Sequence, residues 1–283
     1  MVDVAELLAA YDARMRIPAD ALPEGVFYER DGPVVRVVGT HLGRVRAPRD
    51  LGVAGAQLDG LIARQRDFFA ARGQGVEWKV RAHDLPAELP ERLVAAGFVA
   101  GEPAAVLIGP AAEVAGKAAR AAGKAGGAAQ VNGRAGEVGR EPDGVVLRRA
   151  VGAQDMRRIA EQQTRVWGFD CSWVADDLTG RVTADPGQIT VLVAEAGGQV
   201  VSSAWSVYQR GTEFVALLGG TTVPQWRGRG LYSALVAARA REAVERGFRL
   251  LHVDASPASA PILRRYGFQE ITTSRHYQWV PPA

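Results

Sequence analysis

The sequence predicts an α/β protein with mixed sheets, built as two compact units. Three observations carry this. Strand-like and helix-like apolar patterns alternate from Gly144 onward, a shorter run of the same alternation occupies the N-terminal part, and between them lies a stretch of almost pure Ala, Gly and small polar residues. A chain of 283 residues exceeds one typical domain and is short for three,. The units read as residues 1–109 and 144–283, with 110–143 as a flexible Ala/Gly-rich linker.

In the C-terminal unit, Val145 to Arg148 reads as a short strand and Ala153 to Trp167 as an amphipathic helix, with Met156, Ile159, Ala160 and Val166 near one face,. A second helix is expected at Ser172 to Arg181. Ile189 to Ala194 and Val200 to Tyr208 read as strands joined by a turn at Gly197-Gly198, and Phe214 to Val223 follows a turn at Arg210-Gly211,. Leu231 to Arg246 consists largely of strong helix formers, with Gly247 as its stop signal,. Strand Leu250 to Val253, a short helix near Ala258 to Tyr266 and a last strand ending at Trp279 complete the unit.

The N-terminal unit repeats part of this order. Helix Leu58 to Arg72 leads through Gly73 and Gly75 into strand Val76 to Arg81; a Pro-flanked helix then runs into Gly97-Phe98, and strand Ala104 to Ile108 follows. Gly267-Phe268 holds the matching place near the other end, which favours duplication over coincidental helix caps,. The segment 110–143 has no Trp, Tyr or Phe and cannot bury enough apolar surface to fold alone,.

Charge narrows the function classes. Net charge is −2, +1 and +4 for residues 1–109, 110–143 and 144–283, with no block of like charge that would track a phosphate backbone, so no nucleic-acid partner is expected,. No apolar run approaches the roughly 18 residues of a membrane helix, and the N-terminus lacks a signal-like basic start,. Cys171 is the single cysteine, which removes intramolecular disulfides and multi-cysteine metal sites and suits a cytoplasmic setting; no metal is expected,.

The chemistry concentrates in Thr222 to Tyr232, TVPQWRGRGLY, placed after a predicted strand and opening a predicted helix. A helix N-terminus carries unpaired N–H groups and partial positive charge, glycines let backbone close on an oxyanion, and Arg227 and Arg229 add formal charge,. Such a loop suits a pyrophosphate. These residues resemble the signature of the GNAT acyltransferase family, Val-x-Pro-x-x-Arg-Gly-x-Gly, with Thr222, Pro224, Arg227, Gly228 and Gly230 at its positions. A second register of the core motif, through Gln225, Gly228 and Gly230, is also complete; Pro224 selects the first. Tyr232 stands where the family usually has Gly or Ala. The likeness covers residues 144 to 280 as a complete GNAT domain, with residues 1–109 as a degenerate, partial copy.

The resemblance implies acetyl-CoA, or another acyl-CoA, as co-substrate and direct transfer of the acyl group to a primary amine on a small molecule or peptide. It implies that Gly220 donates its N–H to the thioester carbonyl, that Thr222 and Val223 pair with the pantetheine arm, that Arg227, Gly228, Arg229, Gly230, Leu231 and Tyr232 hold the phosphates, and that Ser256 touches the arm. The residues that usually move protons in the family are replaced by Ala216, Leu218 and Leu263. Asp254 is therefore the expected acceptor of the amine proton and Tyr266 the expected acid for the departing thiolate. Trp167, Phe169, Trp173 and Trp205 are expected pocket walls, whereas lone Cys171 reads as a small apolar residue,. The rival reading is a noncatalytic acyl-CoA-binding module. In the N-terminal copy, Arg49 to Ala54 nominally fits the phosphate motif, but Asp50 and Asp59 oppose an anion, so no coenzyme is expected there,. A homodimer is left open.

Overall fold

A computed structural model describes residues 3–17, 21–125, 139–140 and 144–282. The chain forms two compact units. The first comprises Met1–Leu107, Asp254–Ala260 and Glu270–Ala283, and the second Ile108–Val253 and Pro261–Gln269.

The first unit contains helix α1 (Val4–Arg14), the antiparallel strands β1 (Phe27–Asp31), β2 (Val34–Val38) and β3 (Gly43–Arg46), helix α2 (Gly55–Ala70), strand β4 (Val76–Arg81), helix α3 (Leu89–Ala95) and most of strand β5 (Val99–Pro110). The β1–β2 hairpin turns at Gly32-Pro33, where Gly32 has φ +57°,. Its core is a cluster around Trp78, Phe69, Leu58, Leu61, Ile62 and Leu93.

The second unit contains α4 (Ala111–Lys124), the two-residue β6 (Gly139–Arg140) and β7 (Val146–Arg149), then α5 (Gly152–Trp167) and α6 (Trp173–Ala184). The meander β8 (Ile189–Ala196), β9 (Gln199–Tyr208) and β10 (Phe214–Thr222) follows, then α7 (Leu231–Glu245), β11 (Leu250–Ala255) and α8 (Ala260–Arg265). β7, β8, β9 and β10 pair antiparallel in that order, and β10 pairs parallel with β11. Every predicted element of this unit up to α8 is present, and Gly247 takes the left-handed φ of +81° that ends α7,.

Two expectations need correction. The chain's last strand, β12 (Gln269–Trp279), is expected with the C-terminal domain; its residues from Ser274 onward pair antiparallel with β4 in the first unit, Tyr277 opposite Trp78. The strand's apolar alternation fits a sheet edge equally in either unit, and nothing local in it names the partner. The second correction concerns the linker. Residues 111–124 form α4, whose buried stripe Ala111, Val114, Ala118 and Ala122 recurs at helical spacing against α7,. Composition argues against folding alone, but small alanine side chains let two helices approach closely, so the helix rests on α7 instead. The rest of the expected linker, 126–138 and 141–143, lies outside the described residues.

Candidate active site

The site begins in a bent strand. β9 and β10 pair regularly up to Trp205 opposite Leu218 and again from Ser203 opposite Thr221, so Gly219 and Gly220 together face the single Ala204. This is a β-bulge. Gly219 adopts φ +61°, and a Cβ placed there would lie 1.9 Å from the Trp205 ring. Glycine is required on both counts.

Side chains from two helices hold the bulge. The Gln163 amide, on α5, donates to Gly219 O at 3.0 Å, Thr221 Oγ1 at 2.8 Å and Ser203 Oγ at 3.0 Å. Arg239, on α7, is 2% exposed and donates to Trp205 O at 3.3 Å and Leu218 O at 3.4 Å, the two carbonyls that flank the irregularity. Successive strand residues point to opposite faces, so α5 reaches the bulge through the Thr221 face and α7 through the Gly220 face. Burial pushes the Arg239 guanidinium down to about 10, because no carboxylate faces it to favour its charge; only the Tyr232 and Tyr208 phenols act on it,.

The parallel pairing of β10 with β11 runs through Phe214–Leu250, Val215–Leu251 and Ala216–His252. No further pair joins the two strands among the described residues, so β10 from Leu217 onward offers an edge. Val223 donates its N–H to Val201 O on β9. Strand alternation then turns the backbone groups of Thr222 to the opposite edge, the side an extended chain could join. Val223 itself is already engaged, since its N–H serves Val201 and its carbonyl accepts from Trp226 N at 2.9 Å. Val223 thus has no backbone group left for the expected pairing, and on Thr222 the carbonyl is taken by Arg227 Nε, which leaves its N–H toward that edge.

The loop itself is tightly turned. Pro224–Trp226 forms one 3-10 turn, and Arg227 closes it by donating Nε to Thr222 O at 3.1 Å. Gly228 and Gly230 take φ +77° and +79°. Arg229 stacks over the Trp226 ring at 4.6 Å,. Gly230 caps α7 with no side-chain hydrogen bond, and no acidic residue occupies the first turn. The first turn of α7, Leu231 to Ser233, therefore carries no acidic side chain of its own to offset the partial positive charge of the helix start,. A Cβ on Gly220 would stand 3.1 Å from Tyr232 Cε2, so the Tyr232 ring packs on the α7 face of the bulge.

The expected proton carriers lie elsewhere. Asp254 belongs to the first unit, where Oδ2 pairs with Lys79 Nζ at 2.5 Å and Oδ1 accepts from Ser274 Oγ at 3.4 Å. An oxygen held by an ammonium is a poor proton acceptor, so the assignment of Asp254 as base is set aside. Tyr266 is 5% exposed, and its hydroxyl bonds Ser233 Oγ at 2.5 Å beside α4 rather than facing Gly220. Ser256 also lies in the first unit and is exposed; its Oγ and carbonyl cap the turn at Ser259 and Ala260. It closes a turn. Leu263 is buried core, Ala216 is 7% exposed and Leu218 37% exposed, so none of the three supplies a titrating group. Burial raises the Cys171 thiol and its N–H bonds Thr164 Oγ1, which agrees with an inert packing residue,. Of the four aromatic candidates, Trp205 lies on the bulge and Trp167 donates Nε1 to Gln163 Oε1 at 2.8 Å.

Sequence reasoning missed Gln163, Arg239 and α4. A glutamine inside an amphipathic helix and an arginine inside an Ala-rich one look solvated, and only the three-dimensional register of α5 and α7 with β10 gives them a role.

Residues 157–281 match the family model described as an acetyltransferase (GNAT) domain. No curated protein matches the chain in sequence. Among solved structures, the chain is similar to a GCN5-related N-acetyltransferase from Kribbella flavida (TM-score 0.64, 17% identity, covering 100% of this chain and 97% of that one). It is also similar to a tandem GNAT protein from the clavulanic acid biosynthesis pathway (TM-score 0.57, 14% identity, 99% and 95%). A GCN5-related N-acetyltransferase from Sphaerobacter thermophilus aligns with TM-score 0.54 at 18% identity, over 89% and 78%. At these identities the structural likeness establishes the fold.

Proposed function

We propose, from the match of residues 157–281 to the GNAT acetyltransferase domain, that the protein transfers an acyl group, most simply acetyl, from coenzyme A to a primary amine by direct attack. The observation that carries this reading is the N-terminus of α7, entered through two left-handed glycines, free of acidic residues in its first turn and flanked by Arg227 and Arg229, at the end of a strand that pairs with β11 only as far as Ala216 among the described residues. The α7 N–H groups and the two guanidinium groups suit a pyrophosphate. The β10 edge suits an extended arm that pairs through Thr222, and Gly220 N–H suits a carbonyl whose oxygen becomes anionic during transfer.

Bulge geometry matters because an oxyanion donor works only when it is fixed before the reaction. Gln163 and Arg239 supply that rigidity. The departing thiolate, with a pKa near 8.5 by analogy with cysteine, is helped by an acid, and Tyr232 is proposed for this role in place of Tyr266, because its ring lies against Gly220,. An attacking amine must first lose a proton, and water at the open edge is proposed to accept it. A cytoplasmic setting is proposed from the buried, single cysteine,; no helix among the described residues is long and apolar enough to cross a membrane.

The reading is tested by release of free thiol from acetyl-CoA in the presence of small amines, aminoglycosides, amino acids and peptides, alongside calorimetric titration with CoA. Amine-dependent thiol release is expected. Tight CoA binding with no release under any acceptor would instead favour the noncatalytic acyl-CoA-binding module, a reading that the inert side chains of Ala216, Leu218 and Leu263 support.

A further inference from the structure

The second unit has a basic cavity of about 470 Å³ outside the loop just described. One wall is α4. Lys117, Arg120 and Lys124 recur at i, i+3 and i+7, so they share a face, while Ala111, Val114, Ala118 and Ala122 bury the other side of the helix,. The opposite wall is Ser233 from the first turn of α7 with Arg265 and Tyr266 from the end of α8.

Four cations therefore line one concavity. Glu113 compensates one of them, pairing with Lys117 at 2.5 Å. Among the described residues no carboxylate pairs with Arg120, Lys124 or Arg265. Like charges gathered around one hollow repel each other unless an anion joins them. Ser233 Oγ and Tyr266 Oη, 2.5 Å apart, share one hydrogen between them and leave the other free to donate outward,.

The cavity continues from the phosphate loop. A Cβ on Gly230 would lie 3.0 Å from Ala122 O and 3.1 Å from Ala125 Cβ, so the end of α4 sits directly against the glycine that opens α7. Ser233 is only three residues further, about one helical turn. An anion bound here stands close to a pyrophosphate held at the α7 N-terminus. In coenzyme A the pyrophosphate and a second, monoester phosphate are attached to the 5′ and 3′ positions of one ribose. The monoester is a dianion at neutral pH and takes up several charge-assisted hydrogen bonds, which is what three uncompensated cations offer.

We infer that the α4–α7–α8 cavity is the subsite for the ribose 3′-phosphate of the acyl-CoA, held by Arg120, Lys124 and Arg265. The inference rests on the acyl-CoA reading above. It gives α4 a role in selecting the coenzyme, and it separates CoA from its 3′-dephospho form at a place remote from the thioester.

The experiment is calorimetric titration of the full chain with CoA and with 3′-dephospho-CoA, repeated on the Arg120→Gln/Lys124→Gln double variant. Wild type is expected to bind CoA at least about tenfold more tightly than the dephospho form. The double variant is expected to lose that preference while holding dephospho-CoA as wild type does, which a general loss of folding would not produce. Both side chains are solvent-facing, and an unchanged thermal midpoint confirms the fold. Equal affinity of wild type for the two ligands, or a preference that survives in the double variant, overturns the subsite and leaves the acyl-CoA reading standing. Failure of wild type to bind either ligand overturns both.

Discussion

Among the helices that begin at a left-handed glycine, α7 and α2 treat the same physics in opposite ways. Gly230 at α7 has φ +79° and Gly55 at α2 has φ +56°. At α7 the N-cap is a glycine with no side chain to offer, the first turn holds no acidic residue, and arginines flank it. At α2 the Gly55 N–H donates to Glu88 Oε1 at 2.8 Å, and just upstream the Gly52 N–H donates to Asp50 Oδ1 at 2.8 Å. The Gly55 N–H is the main cause that holds the Glu88 carboxyl below its ordinary range. Arg92 bridges Glu88 and Asp59, so nearby positive charge is also spent within the unit. A helix N-terminus is an anion site only if the protein leaves it unfilled. The α2 terminus has been supplied with an internal anion from Glu88, whereas the first turn of α7 brings arginines and no acid.

The strongest way to break this contrast is to give α7 what α2 has. Gly228→Asp combined with Arg229→Glu places carboxylates at the loop, and CoA affinity is expected to fall about a thousandfold, roughly 4 kcal/mol. Calorimetry on the folded variant reads it. An affinity within tenfold of wild type would mean that the loop does not carry the phosphates. In the unmodified chain the same measurement is expected to give one CoA per chain, and a stoichiometry near two would show that α2 binds a second.

A second prediction sharpens what the strand contributes before the loop. Gly219→Ala forces a side chain into left-handed backbone and onto the Trp205 ring. The cost is about 3 kcal/mol, from the left-handed conformation and from overpacking. Chemical denaturation measures it. A loss under about 1 kcal/mol would mean that the bulge relaxes freely and cannot fix the Gly220 N–H. Third, Tyr232→Phe keeps the ring against Gly220 and removes only the hydroxyl; kcat is expected to fall roughly tenfold with the KM for acetyl-CoA little changed. Unchanged kcat would remove the phenol from the mechanism.

The same contrast explains what could be read from the sequence. Pro224, Arg227, Gly228 and Gly230 are local signals: each acts through its own backbone or charge, and their spacing alone places them at a helix start. The elements of the meander and α7 were legible for the same reason, since periodicity is a local property. Neither Gln163 nor Arg239 is local. Their partners lie dozens of residues away, and the hydrophobic pattern of α5 or α7 is the same whether a polar residue meets solvent or a bulge. The helix α4 was hidden because alanine and glycine look like a linker when the surface that receives them is unknown. Strands β1 and β2 were missed as well, although the Gly32-Pro33 loop that joins them is a local turn signal,.

The smallest expected effect concerns Asp254, whose sequence position on strand β11 makes it attractive as a base. Its carboxylate is committed to Lys79, a lysine with only 9% of its side chain exposed, and to Ser274. Asp254→Asn removes the charge without changing the shape. If Asp254 is an ion-pair partner, the variant leaves the Lys79 ammonium uncompensated and the thermal midpoint of unfolding falls. Turnover per folded molecule then stays within about twofold of wild type across the pH profile, because no proton passes through residue 254. If it is the base, the order reverses: the midpoint moves little, kcat collapses by at least about a hundredfold, and the acid limb of the profile disappears. Measuring both quantities on one variant separates the two roles, since a carboxylate whose oxygens already answer an ammonium stabilises the fold at the expense of its basicity.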